Sequence, residues 1–331
     1  MVYGKGWKKI KINDQIINKI EKCLNDYGIN LPQKVVVGCS GGKDSTSLLF
    51  FLRELGVEPV PMIIDLGYVN FNSSSIKETI DRYGFSAIII KARSEKNLLT
   101  ISQELKRKII FDFEKLDSEN CHTPCTHCSN VKRIFLMNET SKLGLKSILF
   151  GHHREDIVAT LLKDYFIYDY YNKFGGYQKD IFEDYLKKKE IVLQEIELMV
   201  AQKRAGTMGI RLSSKNNIEL LRPMAYVSET EIRNFIAINN IPTHGSGCSH
   251  EIFFNNKLMA ITKREFVHEE LHNRLKNNTL DGEKLLTIAK KSLDHLGRPK
   301  FFPRNNRAKL MPGFELKDEV ATKTSLPYVP G

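Results

Sequence analysis

"KVVVGCSGGKDSTSLLFFL", residues 34–52, decides the fold. Its opening run, KVVVG at 34–38, is unbroken by polar alternation, which is the pattern of a strand buried on both faces. Ser45 to Leu55 reads as a helix. The junction between them, SGGKDS at 40–45, is suited to an anion. Gly41 and Gly42 let the backbone come close to phosphate oxygens. Amides at the helix N-terminus bind anions with the help of the helix dipole. Ser40 and Ser45 add hydroxyl donors, and Lys43 adds a point charge. The G-x-x-x-x-G-K-[ST] spacing of a Walker A loop is absent, so a phosphate loop of another type is predicted.

Outward from this stretch, strands and helices continue to alternate. "EPVPMIID" (58–65) holds a second strand ending on Asp65, 73–83 a helix, "SAIIIKA" (86–92) a third strand, and 97–115 a long charged helix. A cysteine-bearing loop leads to a helix near 129–143; "KSILFGHH" (146–153) is strand and turn, and "REDIVATLLKDYF" is helical. Such alternation implies right-handed βαβ units and a parallel sheet covered on both faces. An amphipathic helix near 13–26 precedes it. Residues 166–216 break the pattern, being tyrosine-rich and then charged and helical. "IELLRPM" (218–224) returns to a buried strand, and "SETEIRNFIAINN" is a helix with a capping box from Ser228 to Glu231. Helices at about 261–276 and 280–295 follow, then an irregular tail.

Of 331 residues, 41% are hydrophobic, which predicts a packed core and excludes global disorder. No apolar run approaches the roughly 20 residues that span a bilayer, and the opening "MVYGKGWKKIKIND" lacks the apolar region of a signal peptide. A soluble, cytoplasmic protein without a membrane partner is expected. The net charge of +11 suits a polyanion such as RNA, although lysine-rich composition alone gives the same balance. Three of six cysteines crowd into "CHTPCTHC" (121–128), and without a secretory signal such clustering reads as metal ligation. Cys125, Cys128 and Cys248, with Cys121, His122 or His127, offer four ligands for a closed zinc site; three thiolates alone suit an iron–sulfur cluster with one open iron.

SGGKDS resembles the PP-loop signature S-G-G-x-D-S of the N-type ATP pyrophosphatase (adenine nucleotide α-hydrolase) superfamily, and "GHHREDIVATLL" (151–162) resembles its G-H-x-x-D-D segment, with Glu155 at the first acidic position. "PCTHCSNVKRIFL" and "LLRPMAYVSETEI", together with the late Cys248, resemble segments of the tRNA thiolation family that includes the 2-thiocytidine and 2-thiouridine synthetases. The likeness covers roughly 34–250 and is interrupted at 166–216, and Cys121 adds a thiol outside the family motif.

The resemblance implies a Rossmann-like α/β fold: a five-stranded parallel sheet with helices on both faces. It implies a PP-loop domain at 31–165 and 217–250, an N-terminal basic segment and helix at 1–30, a mainly helical insertion at 166–216, C-terminal helices at 251–297 and an irregular tail at 298–331. It also implies an ATP-dependent sulfurtransferase that adenylates a carbonyl oxygen and replaces it with sulfur, using ATP, Mg²⁺ and a [4Fe–4S] cluster. Ser40, Gly41, Gly42, Lys43, Asp44 and Ser45 would hold the triphosphate, with Asp44 positioning the metal or a proton. Asp65, Gly151 and His152 would line the nucleotide, Asp156 would hold Mg²⁺ or orient the substrate, and Lys132 or Arg133 would stabilise developing charge. Cys125, Cys128 and Cys248 would be the cluster ligands. The implied partners are a tRNA pyrimidine substrate of the 2-thiocytidine type and a sulfur donor, either a cysteine desulfurase or free sulfide; a homodimer is compatible with the sequence. Aromatic residues at 165–171 offer either a stacking platform for a splayed base or a buried helix face. Thiolation of a small-molecule or carrier-bound amide, and a sulfur-free adenylating ligase with structural zinc, are the alternative readings.

Overall fold

A computed structural model describes residues 10–66, 71–91, 124–174, 179–202, 207–213, 217–245, 263–277 and 280–294. The charged helix expected at 97–115, Cys121, Cys248 and the tail lie outside them. In chain order the elements are α1 (Asp14–Asp26), β1 (Lys34–Gly38), α2 (Lys43–Glu54), β2 (Glu58–Asp65), α3 (Ser73–Asp81), β3 (Ile88–Lys91), α4 (Pro124–Lys142), β4 (Ser147–Leu149) and α5 (Arg154–Phe174). They continue with α6 (Lys179–Lys188), α7 (Leu193–Ala201), β5 (Arg211–Ser213), β6 (Glu219–Leu221), a 3-10 turn (Pro223–Tyr226), α8 (Glu229–Asn239), α9 (Lys263–Lys276) and α10 (Gly282–Asp294).

The strands form one sheet in the order β3-β2-β1-β4-β6-β5. β1 is central, and its three valines are wholly buried, as the apolar run predicts. Val36 lies between Val60 of β2 and Ile148 of β4, and Ile148 is next to Leu220 of β6, all in parallel register. Two prolines, Pro59 and Pro61, are tolerated in β2 for a positional reason. The Glu58 amide donates toward β1, to the Gln33 carbonyl at 2.7 Å. Amides two residues apart share a side, so the missing donors at 59 and 61 fall on the side away from β1. From β1 the chain moves outward one way through β2 and β3, then the other way through β4 and β6. The turns after β1 and β4 therefore leave the sheet side by side at its carboxyl edge, where ligands bind in such sheets.

The structure differs from the sequence expectation in two elements. The sheet has six strands rather than five, because β5 pairs antiparallel with β6 at the edge, Leu212 opposite Leu220. β5 falls within the segment read as a mainly helical insertion. Its three residues are all exposed, so no burial period marks them; Arg211 holds it by pairing with Glu219 at 2.6 Å and donating to the Gly28 carbonyl at 2.9 Å. The second difference is α4, which begins at Pro124 rather than near 129. Proline suits the first turn of a helix because its missing N–H would have had no partner there. Cys125 and Cys128 are therefore in the first turns of α4, not in a loop before it.

The chain divides into two units. The first (1–90, 132–158 and 208–260) contains the sheet, α1 to α3 and α8. In the second (91–131, 159–207 and 261–331), α9 packs on α6 and α10 on α7. Arg274 of α9 donates to the Leu186 and Lys189 carbonyls at 2.6 and 2.8 Å, supplying partners that the C-terminal end of α6 lacks. Tyr165, Phe166 and Tyr170 are at most 1% exposed, and their rings cluster with Tyr185. Of the two sequence readings of 165–171, these three residues take the buried helix face.

Candidate nucleotide site

The turn after β1 runs from the Cys39 amide, which donates to the Met62 carbonyl at 2.8 Å, to the start of α2 at Lys43. Gly41 has φ +76°, and a Cβ there would meet Ile76 of α3 at 2.8 Å, so both conformation and space require glycine. Its carbonyl accepts the His244 amide at 2.9 Å. In a trans peptide the following N–H points the opposite way, so the Gly42 amide is turned away from the 241–245 segment. Gly42 caps α2 without a side chain. Ser45 braces the loop from within: its Oγ donates to the Gly42 carbonyl and accepts from the Ser40 amide, both at 3.2 Å. Among the described residues, Thr46 Oγ1 and Ser47 Oγ are buried without hydrogen-bond partners. A glycine cradle at a helix N-terminus, with unsatisfied hydroxyls beside it, fits a phosphate group. Cys39 sits inside the turn, and burial pushes its thiol up despite hydrogen bonds from Gly41 and Ser45. At 4% exposed it packs inside the turn, in surroundings that disfavour the thiolate.

The turn after β4 is Phe150-Gly151-His152-His153. A Cβ on Gly151 would lie 2.7 Å from the Asp44 carbonyl and 2.8 Å from the Ser45 amide, so the two turns touch backbone to backbone. His153 is 2% exposed, with Nε2 at 3.7 Å from Asp44 and 3.5 Å from Asp156. Its Nδ1 is 3.1 Å from Glu155. Burial disfavours the imidazolium, but the Glu155 hydrogen bond and the charges of Asp156 and Asp44 outweigh it and raise the pKa of His153. Burial likewise opposes ionisation of Glu155, yet the His153 hydrogen bond and the Arg154 charge hold it down at about 2. Glu155 also accepts the Glu229 amide at the start of α8 at 2.8 Å. Asp156 accepts the His153 amide at 3.0 Å, a helix-start role.

Of the residues singled out by sequence, the loop residues 40–45 and Gly151 are brought together here. Lys43 bridges Asp44 at 2.9 Å and the buried Glu229 at 3.3 Å. Asp65 ends β2 at the same edge and accepts from Ser73 at 2.6 Å. His152 receives the Nε–H of Arg222 at 3.2 Å, and it is His153 whose ring lies against Asp44. Lys132 lies 5.9 Å from the Phe71 ring, and Arg133 is half-buried. Among the described residues no group of three His, Cys, Asp or Glu is arranged to hold a metal ion; the side chains of Cys125 and Cys128 are outside that set, as is all of Cys248. Sequence reasoning chose His152 over the adjacent His153 for the nucleotide, and missed Arg222, Glu229 and His244. Arg222 and Glu229 stand in the quoted "LLRPMAYVSETEI", a motif without an assigned task.

This strand–SGGKDS–helix turn, set at the reversal of a mainly parallel sheet, makes the chain an α/β protein with a glycine turn at the sheet's switch point. No family model matches the chain. In sequence it is similar to the tRNA-cytidine(32) 2-sulfurtransferases of Agrobacterium fabrum, at 23% identity over 70% of this chain and 61% of that protein, and of Verminephrobacter eiseniae, at 26% over 70% and 60%. The chain thus spans about 60% of the length of these curated relatives. In structure it is similar to the U34-tRNA thiolase NcsA from Methanococcus maripaludis with its [4Fe-4S] cluster, with TM-score 0.54 and 16% identity over 86% of this chain and 79% of that one. That likeness carries the fold.

Proposed function

We propose that the chain is an ATP-dependent sulfurtransferase that thiolates a pyrimidine in tRNA, at C2 of a cytosine. The supporting observation is the SGGKDS loop at the sheet's switch point, in a chain whose sequence relatives are tRNA-cytidine(32) 2-sulfurtransferases. The loop amides, Ser40, Ser45 and Lys43 would bind the triphosphate of ATP, and Asp44 and Asp156 would hold the Mg²⁺ that neutralises its charge. The base's carbonyl oxygen attacks the α-phosphorus, pyrophosphate leaves, and the carbon is activated as an O-adenylate. Lys132 or Arg133 stabilises negative charge as AMP departs.

Cys125 and Cys128 stand three residues apart in the first turns of α4, positions that share a helix face. His244, four residues before Cys248, is anchored on the phosphate loop. Three thiolates are a donor set for a [4Fe–4S] cluster, which when bound supplies the chemistry that delivers sulfide to the activated carbon. A cysteine desulfurase or free sulfide provides the sulfur in a cytoplasmic setting, and a homodimer is compatible with the reading.

The test is anaerobic reconstitution followed by iron, sulfide and zinc analysis, with mass spectrometry of nucleosides from tRNA treated with ATP and a sulfur source. The expected result is an iron–sulfur protein that produces 2-thiocytidine. Replacing Cys125, Cys128 or Cys248 by Ala abolishes iron binding, and Cys121→Ala retains it. Stoichiometric zinc that iron never displaces would overturn the sulfur-transfer reading, and unmodified tRNA would redirect it to a small-molecule or carrier-bound amide.

A further inference from the structure

Two histidines stand side by side after β4, and Arg222 engages the first. Arg222 is 5% exposed and follows β6. Its Nε–H donates to His152 Nδ1 at 3.2 Å, and its Nη1 donates to the Gly209 carbonyl. Its guanidinium carbon lies 5.8 Å from the centroid of the Phe150 ring, which itself packs 5.8 Å from the His152 ring. The guanidinium is therefore fixed by backbone, ring and imidazole together. A guanidinium has five N–H donors and no acceptor, so His152 Nδ1 must accept, and to accept it must carry its lone pair. An imidazole with a bare Nδ1 keeps its one proton on Nε2. We propose that Arg222 is a positioning residue that locks His152 in the neutral Nε2–H tautomer, so that His152 donates a hydrogen bond to a phosphoryl oxygen of the nucleotide.

The donor role rests on the ATP-dependent reading above; the tautomer does not. His152 follows Gly151, whose Cα abuts the backbone where α2 begins, so its backbone is one residue from the contact with the SGGKDS turn. The neighbouring ring is set the other way. Glu155, held ionised, can only accept, so His153 carries its proton on Nδ1. One dipeptide thus presents two imidazoles in different settings, His152 with its Nδ1 facing a cation and His153 with both nitrogens facing carboxylates. This assigns a task to the arginine of the "LLRPM" segment, more than sixty residues away from the histidine it orients.

Nitrogen-15 NMR of the full chain labelled at histidine, recorded near neutral pH, reads the tautomer directly. The expected spectrum gives His152, assigned by its loss in His152→Gln, a bare Nδ1 and a protonated Nε2. In Arg222→Met the two forms average, and in Arg222→Lys, which keeps a cationic donor, the lock is partly restored. A protonated Nδ1 at His152 in the wild-type chain overturns the proposal even if Arg222→Met fails to fold. Pyrophosphate release in the presence of tRNA then tests the donor. His152→Phe should lower kcat about 100-fold with little change in the KM for ATP. Arg222→Met should lower it about ten-fold, and His152→Gln, which keeps an N–H at the ε position, should recover much of the loss. Normal turnover in His152→Phe overturns the donor role. Failure of the wild-type chain to bind ATP by calorimetry would instead sink the ATP-dependent reading and leave the tautomer result standing.

Discussion

At the residue scale, Asp44 and Gly151 make opposite demands on the same few ångströms. Asp44 is about one-third exposed and is held by Lys43, with His153 close behind it. A partly solvated carboxylate contributes little to folding. Asp44→Ala is therefore expected to lose pyrophosphate release by at least roughly 100-fold while its melting temperature stays close to wild type. Near-normal release from a folded variant would remove Asp44 from the mechanism. Gly151→Ala should do the reverse damage. Its Cβ would press on backbone atoms of Asp44 and Ser45 at 2.7–2.8 Å, which cannot rotate away. Overpacking of this kind costs about 1–3 kcal/mol, so calorimetry should show a clear drop in melting temperature together with weakened ATP binding. Gly38→Ala is the control, because its neighbours are the side chains of Leu136 and Phe150 at 3.2 Å, which can shift. The glycine turn between β1 and α2 was legible in the sequence because its residues are contiguous. The choice between His152 and His153 was not, since adjacency says only that the rings diverge; their partners, Arg222 and Glu155, decide it.

At the scale of the element, α8 carries the clearest sequence signature. The S-x-x-E pattern forms a capping box, with Ser228 and Glu231 satisfying each other's backbone amides. Glu231 also binds Lys19 of α1 at 2.8 Å. Burial opposes its charge, but the Lys19 hydrogen bond and the Ser228 donors hold its pKa below the usual carboxylate range. A depressed carboxylate contributes stability above its unfolded value and loses it as pH falls through its folded one. The melting temperature of Glu231→Gln should accordingly lie below wild type at pH 7, and the gap should close as the pH drops below about 4. A gap that widens in acid would mean that the ion pair does not stabilise this junction. Ser228→Ala should cost about 1 kcal/mol by chemical denaturation. The start of α4 and the presence of β5 were harder to read. Pro124 was the signal for the first, overshadowed by the cysteines around it. For β5 a three-residue exposed strand has no period to detect; only its pairing with β6 defines it.

For the whole molecule, the charge of +11 bears on the substrate. If tRNA is the partner, its affinity must fall steeply with salt, because each phosphate neutralised by Lys or Arg releases counterion. Filter binding between 50 and 200 mM salt should show a loss of several orders of magnitude for roughly six to ten contacts. Binding that ignores salt would favour a small or carrier-bound substrate. No helix among the described residues is long and apolar enough to cross a membrane. A mainly parallel sheet was legible from strand–helix alternation; the strand order, with its reversal between β1 and β4, was not. Nor was the closure of the site, because Glu229 and His244 reach it from the far end of the first unit's sequence.

That closure has a consequence for how the chain is made. β1 and β2 leave the ribosome almost together, but Val36 must wait for Ile148, and Ile148 for Leu220. Parallel pairings over such separations are slow to form. The His244 amide that fixes the Gly41 carbonyl emerges later still. During synthesis the glycine turn is translated early and then spends most of elongation without the backbone partners that aim its amides. A nascent chain therefore carries a phosphate loop long before it carries a phosphate site.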